Sequence, residues 1–156
     1  MAATLNGIDE TAPVITRDSI VIDAPLETVW AVHTDLASWP EWHPGVGRLE
    51  LLTEGELKPG SAFRWSAEGL EVTSTVRQVD PLHRLVWGGP ANGIEGIHVW
   101  VFTAQPDGVL VSTEESWSGE PVLADLGYAQ QALDASIAQW LRELKHRAEA
   151  SGEAQS

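Results

Sequence analysis

The residues most informative about the fold are "GIHVWVFTAQPDGVLVSTEESWSG", 96–119. Two runs rich in valine and aromatic residues flank the turn signal QPDG, a pattern that predicts an antiparallel β-hairpin. Side chains alternate between the two faces of a strand, which places His98 and Trp100 on the same face. These groups either fill a core or line a cavity that holds a ligand.

The loop length of this hairpin decides which side chains meet. With a four-residue loop, His98 lies opposite Glu115 and Trp100 lies opposite Thr113, and facing residues share one side of the sheet. With a three-residue loop, Val99 takes the place opposite Glu115, and the histidine and the carboxylate are separated. The sequence is compatible with both registers. In the first, the carboxylate can orient the imidazole and keep it basic, as a general base requires, or the pair is purely structural.

Glu114 and Glu115 are neighbours in the sequence and therefore point to opposite faces of their strand. In either register one of them points inward. A buried carboxylate needs a partner or has a raised pKa, which makes the inward one the best candidate for acid–base chemistry. His98 and Glu115 are accordingly the two predicted catalytic residues.

The rest of the chain predicts a single domain with one layer of strands and one long helix. "TRDSIVIDA" (16–24) alternates like a strand, "APLETVWAVHTDLASW" (24–39) has helical periodicity, and two prolines and a glycine pair break it in "SWPEWHPGVG". Short turns then separate six strand-like runs: 46–53, 61–67, 70–79, 83–88, 95–104 and 109–117. A last amphipathic helix carries an apolar stripe of Leu126, Ala129, Leu133, Ile137, Trp140, Leu141 and Leu144.

This order predicts an α+β fold in which a seven-stranded antiparallel sheet curves around the long C-terminal helix, with two short helical segments after the first strand. Short connections favour antiparallel neighbours. The sheet must bury one face, and the helix stripe can cover it. Space at the end that the helix does not fill is the candidate site.

The chain resembles the START-like (SRPBCC) superfamily, in particular its polyketide cyclase/dehydrase branch. The similarity is carried by "IVIDAPLETVWAVHTDLASWPEWHPGV", by "DPLHRLVW" and by the closing hairpin, and it runs from about Thr16 to Ala148. It implies a helix-grip fold around a deep, mostly apolar cavity, with a domain at residues 14–149 and flexible termini at 1–13 and 150–156. Relatives include aromatic polyketide cyclases, lipid and quinone carriers, hormone receptors and chaperone activators, so the fold alone does not give the function.

Aromatic residues supply most of the candidate ligand contacts. The chain has eight Trp but only two Phe and one Tyr. Indole rings can stack on a flat ligand and donate an N–H, or they can simply pack in the core. The residues predicted to bind a ligand are His33, Trp42, Phe63, Trp65, Trp87, Trp100, Thr113, Trp117, Leu133 and Ile137. An apolar outer sheet face would instead indicate a homodimer.

Charge and motifs exclude several classes of function. The net charge of −14 makes nucleic acid and anionic membranes poor partners. No apolar run is long enough for membrane insertion, and no signal peptide is evident, so a cytoplasmic location is expected. The chain lacks Cys, its five His show no metal-ligand spacing, and no nucleotide-binding motif occurs. We therefore expect no metal and no cofactor.

The sequence favours binding of a small hydrophobic or aromatic molecule, lipid- or polyketide-like, in an internal cavity. One alternative is a polyketide cyclase or dehydratase that uses His98 and an inward carboxylate for proton transfer. Positioning of the substrate can supply much of such catalysis, so no nucleophile is needed. A second alternative is a protein-interaction module of the chaperone-activator type.

Overall fold

The computed structural model describes residues 7–67 and 70–154. The strands are β1 (Val14–Ile22), β2 (Val46–Leu51), β3 (Ala62–Ala67), β4 (Leu70–Asp80), β5 (Arg84–Ala91), β6 (Ile94–Gln105) and β7 (Gly108–Ser118). The helices are α1 (Leu26–Thr34), α2 (Trp39–Trp42), α3 (Glu120–Ala124) and α4 (Leu126–Ala154), and a 3-10 turn spans Leu36–Ser38. None of the helices within the described ranges is long and apolar enough to cross a membrane.

The strands form one antiparallel sheet in the order β1-β7-β6-β5-β4-β3-β2. β1 and β2 lie at opposite edges, so α1, the 3-10 turn and α2 carry the chain from one edge to the other. The meander from β2 to β7 then returns to pair with β1. The predicted α+β helix-grip fold is confirmed, with a curved seven-stranded sheet, a long C-terminal helix and short helical segments after β1.

Helix α4 covers the inner face of the sheet with the predicted stripe. Its buried side chains are Ala129, Leu133, Ile137, Trp140, Leu141, Leu144 and Ala148. Leu126, which the periodicity placed in this stripe, is 45% exposed because it stands at the first residue of the helix. On the helix side next to β1, Asp134 accepts a hydrogen bond of 2.6 Å from the Thr16 hydroxyl. The helix is thus attached to the edge strand by polar contacts and to the sheet by apolar ones.

The β6–β7 hairpin has the register that a four-residue loop predicts. Gln105 pairs with Gly108, and further along the ladder His98 pairs with Glu115. Gly108 has φ of 139°, and a Cβ there would lie 2.1 Å from the carbonyl oxygen of Ile22. Only glycine fits this combination of backbone angle and close approach.

Indole rings fill most of the space between the sheet and the helices. Six of the eight Trp are buried, and Trp39 lies among the rings of Phe63, Trp65, Trp87 and Trp140 at centroid distances of 5.2–5.9 Å. The Trp39 indole N–H donates a hydrogen bond of 2.9 Å to the carbonyl of His33, which fixes the ring. Burying one such ring contributes on the order of 4–6 kcal/mol of transfer free energy. Trp39, Trp65, Trp87 and Trp140 are therefore part of the core, and contact of Trp65 and Trp87 with a ligand stays a prediction.

The outer face of the sheet carries a second apolar cluster. Val86 and Val99 are buried there, and Ile8, from the segment before β1, packs against them. The backbone N–H of Asp9 donates to the Ser116 hydroxyl at 3.0 Å. The chain itself therefore covers part of the surface that would serve a homodimer, and dimer formation stays a prediction. Of the termini predicted to be flexible, residues 1–6 and 155–156 lie outside the described residues.

We predict that His33 makes the fold sensitive to acid. The imidazole is fully buried, and burial, with a smaller effect of His43, lowers its pKa to about 3. Between pH 6.5 and about 3 the unfolded chain takes up a proton that the folded chain does not, so stability falls as the pH falls through this window. In His33→Leu the free energy of unfolding, measured by urea titration, should decrease from pH 7 to pH 4 by about 3 kcal/mol less than in the wild type.

The control for this experiment is Val29→Ala, since Val29 is buried on the same helix as His33 and has no ionisable group. It should lower the free energy of unfolding by a similar amount at pH 7 and at pH 4, and so keep the pH dependence of the wild type. An equal loss of stability in His33→Leu and the wild type between pH 7 and pH 4 would contradict the prediction.

Candidate functional site

A cavity of about 110 Å³ lies between the inner face of the sheet and helix α4. Four indole rings, a pair of serine hydroxyls, several backbone segments without large side chains, and the His98–Glu115 pair line it. The lining residues are Trp65, Leu70, Val72, Ser74, Trp87, Gly88, Gly89, Ala91, Ile94, Gly96, His98, Glu115, Trp117, Ser136 and Trp140.

The size of this cavity limits its guest. Pockets for drug-sized ligands have volumes of about 300–1,000 Å³. An apolar protein cavity of about 150 Å³ holds one benzene molecule. The deep cavity that the resemblance implied is therefore largely occupied by indole rings, and the remaining space of about 110 Å³ suits at most a single ring or a short chain.

His98 and Glu115 meet because β6 and β7 pair in the register described above. His98 Nδ1 lies 3.3 Å from Glu115 Oε1, and the two side chains are 3% and 17% exposed. The indole N–H of Trp117 donates to Glu115 Oε2 at 2.9 Å. Glu114 points to the opposite face and forms an ion pair with Arg17, so Glu115 is the inward carboxylate.

The second nitrogen of His98 is also engaged. His98 Nε2 lies 2.8 Å from the Thr113 hydroxyl oxygen. Three aromatic rings, of Trp87, Trp100 and Trp140, surround the imidazole at centroid distances of 4.7–5.3 Å. Both side chains line the cavity, and Glu115 is the more exposed of the two.

The aromatic surroundings disfavour charge on both groups. Burial raises the pKa of the Glu115 carboxyl to about 7, against the opposing effect of the Trp117 hydrogen bond. Burial also lowers the pKa of His98 well below its usual range, with smaller effects of His33 and His43. Near neutral pH the site can therefore hold or release one proton with little change in free energy.

The structure brings five of the predicted site residues together at the cavity: Trp65, Trp87, His98, Glu115 and Trp117. The other seven lie outside its lining, and their contact with a ligand stays a prediction. Four of them are fully buried in the core: His33, Trp100, Leu133 and Ile137. Trp42 stacks on His43, and the Thr113 hydroxyl contacts His98 Nε2. Phe63 borders a separate groove with Trp30 and Leu36.

Several lining residues are absent from the sequence prediction. Gly96 stands two positions before His98 on the same strand face, so strand alternation alone would have placed it at the site. Ser136 stands one helical turn before Trp140, so both point to one side of α4. Ser74 is recognisable only from its contact, because its hydroxyl oxygen accepts the indole N–H of Trp65 at 3.1 Å.

No group of three or more His, Asp or Glu side chains within residues 7–67 and 70–154 is arranged to hold a metal ion. The polar groups at the cavity are one carboxyl, one imidazole and two hydroxyls. They can form hydrogen bonds with a ligand and move a proton.

Comparison with known proteins gives consistent results. The family described as polyketide cyclase / dehydrase and lipid transport matches residues 13–149. Among solved structures, hypothetical protein jhp0584 from Helicobacter pylori superposes with a TM-score of 0.80 at 21% identity, over 95% of this chain and 99% of that one. No curated protein sequence matches the chain.

Two further solved structures have names that bear on the family. The Zhui aromatase/cyclase from Streptomyces sp. R1128 superposes with a TM-score of 0.71 at 17% identity, over 86% of this chain and 93% of that one. A START superfamily protein from Mycobacterium smegmatis gives a TM-score of 0.68 at 13% identity, over 91% and 99% of the two chains. At these identities the likeness establishes the fold alone. The family match, which spans most of the sequence, establishes that the chain belongs to the polyketide cyclase / dehydrase and lipid transport family.

Proposed function

We propose that this protein binds a small hydrophobic molecule, with an aromatic ring or a short chain, in the cavity between the sheet and α4. The observation that carries the proposal is a cavity lined by four indole rings, from Trp65, Trp87, Trp117 and Trp140, together with a few polar side chains, among them the carboxyl of Glu115. Apolar walls with a few placed polar groups are the usual composition of ligand sites. Indole faces favour a flat ring by offset or edge contact.

The polar side of the cavity supports a ligand with one hydrogen-bonding substituent. The Ser74 oxygen accepts the Trp65 N–H, so the Ser74 hydroxyl hydrogen can point to a ligand. Ser136 on α4 and the carboxyl of Glu115 also line the cavity. A hydroxyl or carbonyl group on the ligand would satisfy these side chains and fix its orientation.

The family description includes lipid transport and polyketide chemistry. A lipid or polyketide larger than one ring exceeds about 110 Å³, so its binding requires side chains at the cavity to move apart. The Leu70 side chain is the best candidate for this movement, because it lines the cavity and is 39% exposed. A single-ring compound such as phenol is the probe that needs the least movement.

Filling the cavity at Gly96 should weaken binding. A Cβ at this position would lie 3.5 Å from Trp117 Cδ1 and 3.7 Å from Glu115 Oε2, which is ordinary contact, so Gly96→Val adds methyl groups to the cavity without a backbone clash. We expect the affinity for phenol, measured by isothermal titration calorimetry, to fall at least tenfold, on the order of 1.4 kcal/mol or more.

The matched control for Gly96→Val is Thr103→Val, on the same strand but at an exposed position. It adds the same side chain away from the cavity and should leave phenol binding unchanged. Thermal unfolding of both variants checks that the fold is intact. Wild-type affinity in a folded Gly96→Val variant would count against this cavity as the binding site.

We propose acid–base catalysis of the cyclase or dehydratase type as a second candidate function. The observation that favours it is a cavity-lining carboxyl whose pKa burial raises to about 7. The sequence left two roles open, His98 as the base with the carboxylate as its orienting partner, or the inward carboxylate as the acid–base group. The contacts favour the second, because both His98 nitrogens are engaged and Glu115 is the more exposed of the two side chains. A base with this pKa can remove the proton next to a ketone, and the acid so formed can return that proton to the β-hydroxyl group, which leaves as water.

Glu115→Gln should separate catalysis from binding. The amide keeps the shape of the side chain but cannot take up a proton, so turnover of a β-hydroxyketone should fall by about 10²–10⁴-fold. Phenol binding should change by only a few fold. Wild-type turnover, followed by ultraviolet absorbance of the dehydrated product, should rise with pH through about 7 as Glu115 ionises. Undiminished turnover by Glu115→Gln would exclude Glu115 as the base.

A further inference from the structure

We infer that Thr113 fixes His98 as the Nε2–H tautomer, so that His98 and Glu115 share one proton and the cavity presents an uncharged carboxyl group. Thr113 is then a positioning residue, which acts on Glu115 through His98. The protonation state follows from the contacts of the protein alone. Its consequence for the choice of ligand rests on the proposed function of the cavity.

The direction of one hydrogen bond determines the tautomer. The Thr113 hydroxyl donates to the carbonyl oxygen of Val99 at 2.8 Å. A hydroxyl has a single hydrogen, so its oxygen can only accept at the contact of 2.8 Å with His98 Nε2. Nε2 must therefore carry the ring hydrogen, and in the neutral imidazole Nδ1 has a free lone pair.

The lone pair on Nδ1 faces Glu115 Oε1 at 3.3 Å. Two acceptors at this distance repel each other unless a proton lies between them. The proton belongs to the Glu115 acid or to an imidazolium, and the pair as a whole is uncharged in both cases. Because the side chains are 3% and 17% exposed, the form with two neutral groups avoids the desolvation cost of a buried ion pair.

The surroundings of the pair support the neutral form. Burial raises the pKa of Glu115 and lowers the pKa of His98. The other titratable groups that act on His98 are His33 on α1 and His43 after α2, and burial lowers the pKa of both below neutrality. No Lys or Arg is among the described residues that line the cavity.

An uncharged carboxyl selects a particular ligand chemistry. Its Oε2 accepts the Trp117 N–H and has a second lone pair for a hydroxyl group of a ligand. A carboxylate ligand would lose its hydration without gaining a cationic partner. The expected ligand is therefore neutral and carries a hydroxyl group, and phenol should bind at least tenfold more tightly than benzoate at pH 6.

The test is the ring tautomer of His98, measured by two-bond ¹H–¹⁵N correlation spectra of the ¹⁵N-labelled full chain without ligand. We expect the Nε2–H tautomer in the wild type and in Thr113→Ser, which keeps the hydroxyl. In Thr113→Val the acceptor is lost, and the ring hydrogen should move to Nδ1 and donate to an ionised Glu115. The pKa of Glu115, followed by its ¹³C carboxyl signal, should then fall by at least one unit.

A purely structural role for Thr113 would lower the melting temperature of Thr113→Val but leave both the tautomer and the titration of Glu115 unchanged, and that result overturns the inference. If Thr113→Val does not fold, the spectrum of the wild type still tests the inference. An Nδ1–H ring in the wild type would contradict the inferred hydrogen bonds from His98 Nε2–H to Thr113 and from Thr113 to Val99. Absence of phenol binding together with an Nε2–H ring contradicts the proposed function and leaves the protonation state supported. Phenol binding together with an Nδ1–H ring supports the proposed function and overturns the inferred protonation state.

Discussion

A slip of one residue in an antiparallel pair moves every side chain of a strand to the opposite face. In this protein that constraint acts on β6 and β7, whose register depends on the turn between Gln105 and Gly108. With the observed register, Glu115 lies beside His98, and Glu114 lies outside with Arg17. This turn requires glycine at position 108, because the Cβ of any other residue would clash with the carbonyl oxygen of Ile22. The candidate site thus depends on a turn at the far end of the hairpin.

The aromatic interior sets the limits of the function. Trp39 is in contact with rings from the sheet and from α4, and its N–H is held by the carbonyl of His33. This packing leaves a cavity of about 110 Å³ beside Glu115. The same rings that fill the core also form the cavity wall, as Trp65 and Trp140 do. The same indole rings can therefore pack in the core and contact a ligand, and the two roles are compatible.

Polar atoms in this aromatic interior are costly. Both nitrogens of His33 and the indole nitrogens of Trp42, Trp100 and Trp140 are buried without a hydrogen-bond partner among the described residues. Each unpaired group costs about 1–3 kcal/mol. His98 differs, since it contacts Thr113 on one side and Glu115 on the other. This contrast explains why His98 with Glu115, and not His33, is suited to proton chemistry.

Local periodicity is sufficient to predict the order of the elements, the antiparallel sheet, the covering helix and the opposite directions of Glu114 and Glu115. Each strand and helix carries this periodicity in its own residues. The hairpin register, the inward position of Glu115 and the filling of the interior by Trp39 could not be predicted, because they depend on contacts between distant parts of the chain. Gly96 and Ser136 became lining residues for the same reason: the space in front of a small residue is defined by the side chains that surround it, and these come from other strands and from α4.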